Sequence, residues 1–315
     1  MRILFITSNR VGDAVLSTGL LAWLQHQHPK ARFTIACGPY AADLFRAAPN
    51  LERLIILKKK TWNRHWLGLW AACASTKWDI ILDLRNSAVS RLLFAKKRYF
   101  GVRRPGQHKV AENAAALHLM TPPAPHIWLD ARAKAAAAQI LPAARPLLAL
   151  GPAANWPAKQ WPVERFAELA QRLTDASGPL PHAPVLIIAD EREREQIAPL
   201  LNALPPSQRV EILGHDLLTV AACLAEARLF IGNDSGLMHI AAAMNVPTLG
   251  LFGPGYEEIY GPWGARTAWV RTEESREELL ARLPHPAAHH PNLMQGLSVD
   301  KAFGAALALL QRTNR

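Results

Sequence analysis

Residues 232–247, GNDSGLMHIAAAMNVP, carry the clearest chemical signal in the chain. They follow a short apolar run, residues 229–231, and place Asn, Asp, Ser and Gly directly before an Ala-rich helical stretch. A strand that passes straight into a helix leaves unpaired backbone N–H groups at the helix start, where the helix dipole also favours an anion. The spacing therefore predicts a phosphate-binding site, with His239 one turn further along the same helix face.

Two other loops follow predicted strands. The first, SNRVGD over residues 8–13, puts Asp13 in the first turn of a helix. A carboxylate there either complements the helix dipole or acts as a general base. The second loop, residues 151–162, contains Lys159, which is either a solvated surface lysine or a cation that neutralises a departing phosphate. The residue types alone leave both alternatives open.

Apolar strand-like segments alternate with helical segments in both halves of the chain, which predicts an α/β fold with two doubly wound parallel sheets. Ligands of such sheets bind beyond the carboxyl ends of the strands, where the three loops would lie. The Pro- and Ala-rich stretch 121–145 predicts the linker between an N-terminal domain, 1–145, and a C-terminal domain, 146–315, which ends in a helix near 298–313. The predicted strands are 2–7, 32–37, 53–57, 79–84, 147–151, 185–189, 209–213, 229–232 and 248–252. The predicted helices between them are 14–27, 66–75, 163–173, 217–226 and 236–244.

Composition limits the class of protein. With 315 residues, 50% of them hydrophobic, the chain is long enough for two medium-sized cores. No apolar run approaches the roughly 18 residues of a membrane span, and the first run ends too soon for a signal peptide, so we expect a cytoplasmic protein. Three cysteines at unrelated spacings predict buried, reduced thiols. The loop 284–296 contains His285, His289 and His290 but no acidic or thiol partner that would complete a metal site.

The two halves of the chain differ in charge. Residues 1–145 contain 22 Lys and Arg against 7 Asp and Glu, a formal charge of +15, whereas residues 146–315 contain 14 against 18, a formal charge of −4. This asymmetry predicts that the first half meets a polyanion. Nucleic acid, anionic lipid and an acidic glycolipid all remain open on charge alone.

The motifs together resemble glycosyltransferase family 9, the ADP-heptose:lipopolysaccharide heptosyltransferases. The resemblance rests on VGD at 11–13, PAKQWP at 157–162 and NDSGLMH at 233–239, in this order across both domains. It implies a GT-B fold, two Rossmann-like domains facing across a cleft, and inverting transfer from a nucleotide-sugar donor without a metal or other cofactor. It also implies an anionic lipid A and core glycolipid as acceptor, and peripheral binding at the inner face of the inner membrane.

The resemblance gives roles to individual residues. Asp13 is the expected general base, and Lys159 the expected cation beside the leaving diphosphate, since no Asp-x-Asp motif supplies a metal for that role. Asp234 is expected to bond sugar hydroxyls or helix N–H groups, because a carboxylate would repel a diphosphate. Glu193 would hold the nucleotide ribose, or belongs to the solvated face of a charged helix. The expected donor-binding residues are Asn155, Lys159, Glu193, Asp234, Ser235, Gly236, Leu237 and His239. The expected acceptor-binding residues are Arg10, Lys60, Arg64 and Arg85.

Two functions from other classes compete with this one. Rossmann-like domains would also suit an NAD(P)-dependent oxidoreductase, and a basic half would suit a nucleic-acid-binding protein. The first lacks a Gly-x-Gly-x-x-Gly turn after strand one, and no P-loop signature is present. The second lacks a recognised binding motif or an aromatic stacking platform interleaved with its cations. Binding of ADP without binding of NAD or DNA would favour the transferase.

Overall fold

The computed structural model describes residues 1–143, 146–283 and 291–313. The chain divides into two compact units, Met1–Asp130 and Ala131–Arg315, and the division falls inside the predicted linker. Each unit contains one parallel sheet with helices on it.

The first unit is built on a five-stranded sheet. Its strands are β1 (Arg2–Ile6), β2 (Arg32–Cys37), β3 (Leu51–Ile56), β4 (Trp78–Asp83) and β5 (Ala95–Phe100). Its helices are α1 (Val11–Val15), α2 (Thr18–Gln27), α3 (His65–Cys73), α4 (Val89–Leu92) and α5 (Lys109–Ala115). Short 3₁₀ helices cover Pro39–Phe45 and Thr61–Asn63. The strand order is β3-β2-β1-β4-β5, and every pair is parallel.

The second unit is built on a six-stranded sheet. Its strands are β6 (Leu148–Gly151), β7 (Val185–Ala189), β8 (Arg209–Leu213), β9 (Leu229–Asn233), β10 (Thr248–Phe252) and β11 (Thr267–Arg271). Its helices are α6 (Ala131–Ile140), α7 (Val163–Thr174), α8 (Arg194–Ala203), α9 (Leu217–Ala225), α10 (Gly236–Ala243), α11 (Glu257–Tyr260), α12 (Arg276–Ala281) and α13 (Val299–Thr313). Short 3₁₀ helices cover Pro157–Lys159 and Glu191–Glu193. The strand order is β11-β10-β9-β6-β7-β8, again all parallel.

Both sheets place their first strand beside their fourth, β1 beside β4 and β6 beside β9. The direction of winding reverses at this pair, so the loops that leave the two strands diverge and open a crevice at the carboxyl edge. The loops that carry Asp13, Lys159 and Ser235 leave β1, β6 and β9 respectively. The topology therefore puts the predicted site residues at the switch points of the two sheets.

The switch point of the second sheet depends on two glycines. Gly151 and Gly232 face each other in the register of β6 and β9. A Cβ atom would lie 2.8 Å from the Phe230 ring at Gly151 and 2.6 Å from it at Gly232. The buried Phe230 ring therefore occupies the space that a side chain would need at either position, so a larger residue at Gly151 or Gly232 would clash with it.

The structure differs from the sequence prediction at one predicted helix, and it adds two strands and the helices α4, α5, α6, α11 and α12, of which α6 lies inside the predicted linker. A continuous helix over 14–27 is wrong, because α1 begins at Val11 and the chain breaks between α1 and α2. The Ser17 and Thr18 hydroxyls each donate to a backbone carbonyl three residues earlier, at 2.7 Å, and such bonds bend or end a helix. The sequence analysis did not predict β5 or β11; the other nine strands are confirmed within two residues.

All three cysteines are buried free thiols, as predicted. Burial raises the pKa of Cys37 to about 12, and the pKa values of Cys73 and Cys223 to about 11. In the described part of the chain no helix is both long and apolar enough to cross a bilayer. Within the same residues no three His, Cys, Asp or Glu side chains converge on a possible metal position. The loop histidines His285, His289 and His290 lie outside the described residues.

Candidate active site

Asp13 lies in the first turn of α1, just beyond the carboxyl end of β1. The side chain is partly buried, and the Ser8 hydroxyl donates to its Oδ2 at 3.4 Å. The Ser8 hydroxyl in turn accepts the backbone N–H of Arg10 at 3.2 Å. The loop thus holds a carboxylate at the switch point with one long hydrogen bond, and its remaining lone pairs can accept a proton from a bound hydroxyl.

Arg85 connects the loop of Asp13 to two other segments. It follows β4, and its guanidinium donates to Asn9 Oδ1 at 2.9 Å across the switch point. The same guanidinium lies 5.0 Å from the centroid of the Trp66 ring on α3. Arg85 is therefore a structural link beside the predicted base, and the acceptor contact predicted for it stays a prediction.

Asp83, at the end of β4, fixes the loop that carries Arg85. It is fully buried. Its Oδ1 accepts the Arg85 backbone N–H at 2.9 Å, and its Oδ2 accepts the Ser87 N–H, the Ser87 hydroxyl and the Ser90 hydroxyl at 2.6–2.8 Å. These four bonds satisfy a buried carboxylate that would otherwise be costly. The sequence analysis missed Asp83; the signal for it was a pair of serines four and seven residues beyond an acid that ends an apolar strand.

The predicted acceptor residues are only partly brought together. Lys60 and Arg64 line one open cavity of about 550 Å³ together with Thr61 and Leu67. Arg10 lies elsewhere, at the start of α1, where it is exposed. Two cations in one cavity suit an acceptor that carries phosphate or carboxylate groups.

Lys159 and Asp234 form an ion pair in the second unit, through Nζ and Oδ2. The pair joins the loop after β6 to the loop after β9, and the Asp234 side chain is only 8% exposed. The sequence analysis expected Asp234 to bond sugar hydroxyls or helix N–H groups, but the structure gives it the Lys159 ammonium. An ammonium has three N–H donors, so Lys159 can bind this carboxylate and a phosphate oxygen together.

Asn233, at the end of β9, links the same two loops through its side chain. Its side chain is fully buried, its Oδ1 accepts the Trp161 backbone N–H at 3.0 Å, and its Nδ2 donates to the Pro152 carbonyl at 2.7 Å. A third loop approaches at Gly255, where a Cβ atom would lie 2.6 Å from Asp234 Oδ2. Three loops therefore converge on Asp234. The sequence analysis quoted Asn233 within its motif but gave it no role, since its partners are 72 and 81 residues away.

Ser235 is the N-cap residue of α10, with extended backbone angles. An N-cap serine usually accepts a hydrogen bond from the first turn of its own helix. Here Oγ is buried and has no hydrogen-bond partner within the described residues, and no side-chain cap forms. The first turn begins with Gly236 and Leu237, whose N–H groups have no acceptor inside the helix. His239 is buried one turn further on.

The remaining predicted donor residues are Asn155 and Glu193. Asn155 is exposed in the loop after β6. Glu193 lies after β7, where its Oε2 accepts the Asp190 backbone N–H at 2.8 Å as half of a capping box. A ribose contact by Glu193 stays a prediction, and the capping contact supplies a structural reason for this carboxylate.

Known proteins resemble this chain in both sequence and fold. The model of glycosyltransferase family 9 (heptosyltransferase) matches residues 87–283, more than half of the chain. Lipooligosaccharide heptosyltransferase 2 of Haemophilus ducreyi is 28% identical over 86% of this chain and 88% of its own. Lipopolysaccharide heptosyltransferase 2 of Escherichia coli is 33% identical, over 40% of this chain and 36% of its own. The E. coli structure described as an ADP-heptose lps heptosyltransferase II covers both chains fully, with a TM-score of 0.75 and 22% identity.

The likeness in structure confirms the predicted fold, two Rossmann-like units of the GT-B class. Of the three functional classes considered from the sequence, the family match supports the glycosyltransferase. Since the match covers most of the chain and both site loops of the second unit, the protein belongs to glycosyltransferase family 9 (heptosyltransferase).

Proposed function

We propose that this enzyme transfers heptose from ADP-heptose to the inner core of lipopolysaccharide, with inversion and without a metal ion. The anion site at the start of α10 carries the proposal: a buried, unbonded Ser235 hydroxyl and a helix N-terminus beside the Lys159 ammonium. The names of the Haemophilus ducreyi and E. coli relatives support the sugar and the acceptor.

The donor site acts on the leaving group. As the bond between the anomeric carbon and the phosphate oxygen breaks, negative charge grows on the diphosphate. Lys159, the Ser235 hydroxyl and the first N–H groups of α10 can donate to these oxygens, and His239 adds a further donor when it is protonated on the facing nitrogen. Groups already fixed by the fold can stabilise this charge without reorganising during the reaction.

The acceptor site acts on the nucleophile. Asp13 takes the proton of the acceptor hydroxyl, whose oxygen forms the new bond to the anomeric carbon on the face opposite the departing ADP. Lys60 and Arg64 bind anionic groups of the acceptor in their common cavity, and Arg10 and Arg85 add charge near the base. A cytoplasmic protein bound peripherally to the inner membrane would meet such a lipid-anchored acceptor, and the +15 charge of residues 1–145 supports that location.

The test is a transfer assay with ADP-heptose and heptose-deficient lipopolysaccharide. We expect ADP release that depends on the acceptor, and a mass increase of the acceptor by one heptose. Asp13→Asn should lower turnover by about 100-fold or more while the Kd for ADP stays unchanged. Asp43→Asn is the matched control, because Asp43 is a surface partner of Arg46 in the same unit and should leave turnover intact.

Two results would contradict the proposal. Failure of ADP-heptose to react with any heptose-deficient acceptor would show that the donor or the acceptor is wrong. Full turnover by Asp13→Asn would remove Asp13 from the mechanism while leaving the transfer itself in place.

A further inference from the structure

Helix α3 has no charged residue, although it covers the first sheet with only one face. Its sequence is HWLGLWAAC, and His65, Leu69 and Cys73 point into the core. On another face Leu67 and Trp70, three residues apart, are 66% and 42% exposed. A surface helix normally presents polar residues to water. The apolar outer face of α3 therefore indicates that something other than water covers it.

The loop before α3 presents another aromatic side chain. Trp62 is 94% exposed, the most complete exposure of any tryptophan in the described residues. Its backbone has φ 54°, as does that of Asn63, and this left-handed region is uncommon for a bulky side chain. Leu67 shares a cavity wall with Lys60, Thr61 and Arg64, so the loop and the outer face of α3 form one continuous surface. We call Trp62, Leu67 and Trp70 the apolar surface of α3.

The stretch of the chain that carries this apolar surface contains charges of one sign only. Residues 54–78 contain five cations and no Asp or Glu. Lys58 and Lys59 are exposed in the loop before α3, and Lys77 is exposed just after it. The sequence analysis found no aromatic stacking platform interleaved with the cations; the structure exposes Trp62 and Trp70 within the same stretch of the chain as these cations.

We propose that the apolar surface of α3, with Lys58, Lys59 and Lys77 around it, docks on the face of an anionic lipid bilayer. Tryptophan is enriched at membrane interfaces because its ring is apolar and its N–H stays hydrated. Cations next to an apolar helix face are typical of segments that lie in the headgroup region of anionic membranes. The absence of acids over 25 residues fits a lipid surface of uniform negative charge better than a protein partner, which would present both signs.

Docking in this orientation would have a direct consequence for the acceptor. The cavity of Lys60 and Arg64 is bounded by Leu67, which belongs to the docking surface. Headgroups of a lipid-anchored acceptor would then enter this cavity without leaving the membrane. This consequence, and the choice of the inner membrane as the bilayer, rest on the proposed function; docking of this surface on anionic lipid can be measured separately from sugar transfer.

The experiment is vesicle co-sedimentation of the full-length protein, without donor or acceptor. We expect binding to phosphatidylcholine vesicles that contain about 30% phosphatidylglycerol, and little binding to phosphatidylcholine alone. Trp62→Ser with Trp70→Ser should weaken binding at least tenfold. Lys58→Gln, Lys59→Gln and Lys77→Gln together should weaken it by about 100-fold at low salt, roughly fivefold for each cation. Trp269→Ser is the matched control, because Trp269 is 47% exposed but lies on β11, away from α3 in the chain. This variant should bind vesicles as the wild type does.

Thermal unfolding of each variant shows whether it folds, and transfer to a delipidated acceptor in solution shows whether catalysis survives. The tryptophan variant should retain both and lose only vesicle binding. Wild-type affinity of that variant for anionic vesicles would overturn the proposal, as would binding of the wild type to duplex DNA in preference to vesicles. Vesicle binding without any sugar transfer would leave docking in place and count against the proposed function instead.

Discussion

Replacing Ser235 by Ala should affect the free energy of unfolding and the affinity for ADP in different ways. Oγ is buried without a hydrogen bond among the described residues, so in the ligand-free protein its loss of hydration is not offset by a hydrogen bond. An unsatisfied buried group of this kind lowers the free energy of unfolding by about 1–3 kcal/mol, and its removal is neutral or stabilising. Ser235→Ala should therefore leave the free energy of unfolding unchanged or raise it by about 1 kcal/mol.

The same substitution should weaken ADP binding. A hydrogen bond to a charged group contributes about 1.5–3 kcal/mol, and a water molecule that replaces the hydroxyl would recover part of this. We expect the Kd for ADP to rise by about tenfold, measured by calorimetry, while thermal unfolding of the free protein shows no loss of Tm.

Ser17→Ala is the control because the Ser17 hydroxyl is also buried but has hydrogen-bond partners. Its hydroxyl accepts from the Thr7 hydroxyl and donates to the Ala14 carbonyl, both at 2.7 Å. Losing these bonds should cost about 1 kcal/mol and lower Tm by about 3–6 °C, with no change in ADP affinity. A lower Tm for Ser235→Ala, or an unchanged Kd for ADP, would refute the assignment of this hydroxyl to the donor.

Three further predictions concern the ion pair, the charge asymmetry and the thiols. Lys159→Met leaves the nearly buried Asp234 without its ammonium and should cost about 3 kcal/mol in urea unfolding; adding Asp234→Leu should recover most of this stability but not ADP binding. Raising salt from about 0.05 M to about 0.5 M should increase the acceptor KM severalfold and change the donor KM little, because exposed charges are screened more than partly buried ones. Lys60→Glu with Arg64→Glu should mimic high salt for the acceptor alone, and equal effects on both substrates would contradict this. Since burial raises the thiol pKa values to about 11–12, thiol reagents at pH 8 should label no cysteine before unfolding and all three after it.

Strand position explains part of what the sequence could predict. Seven of the nine predicted strands lie inside a parallel sheet and are apolar for that reason. The missed strands β5 and β11 lie at sheet edges, where one side is open to solvent, whereas the other two edge strands, β3 and β8, retain enough aliphatic residues to be recognised. The sequence of β5, AKKRYF, therefore carries three adjacent cations and reads as a surface segment. The break between α1 and α2 could not be predicted from apolar spacing either, because it depends on the hydrogen bonds of the Ser17 and Thr18 hydroxyls.

The candidate site was predictable in its loops but not in its contacts. The doubly wound topology places the exits of β1, β6 and β9 at switch points, so the loops of Asp13, Lys159 and Ser235 could be located from pattern, while the roles predicted for Asp13 and Lys159 depended on the family resemblance. The pairing of Lys159 with Asp234 spans 75 residues, and no local signal specifies it. Asp83 was missed for a different reason, since an isolated acid ordinarily indicates solvent exposure and its burial is possible only with the four donors of its own loop.

The shared strand order of the two sheets has a consequence for how such enzymes diversify. Each unit is a complete doubly wound sheet whose strand-end loops leave its own strands. Under the proposed function, the residues for the acceptor and for the donor would therefore be encoded in separate contiguous parts of the gene. Recombination near codon 131 would then exchange one set of loops without interrupting either sheet.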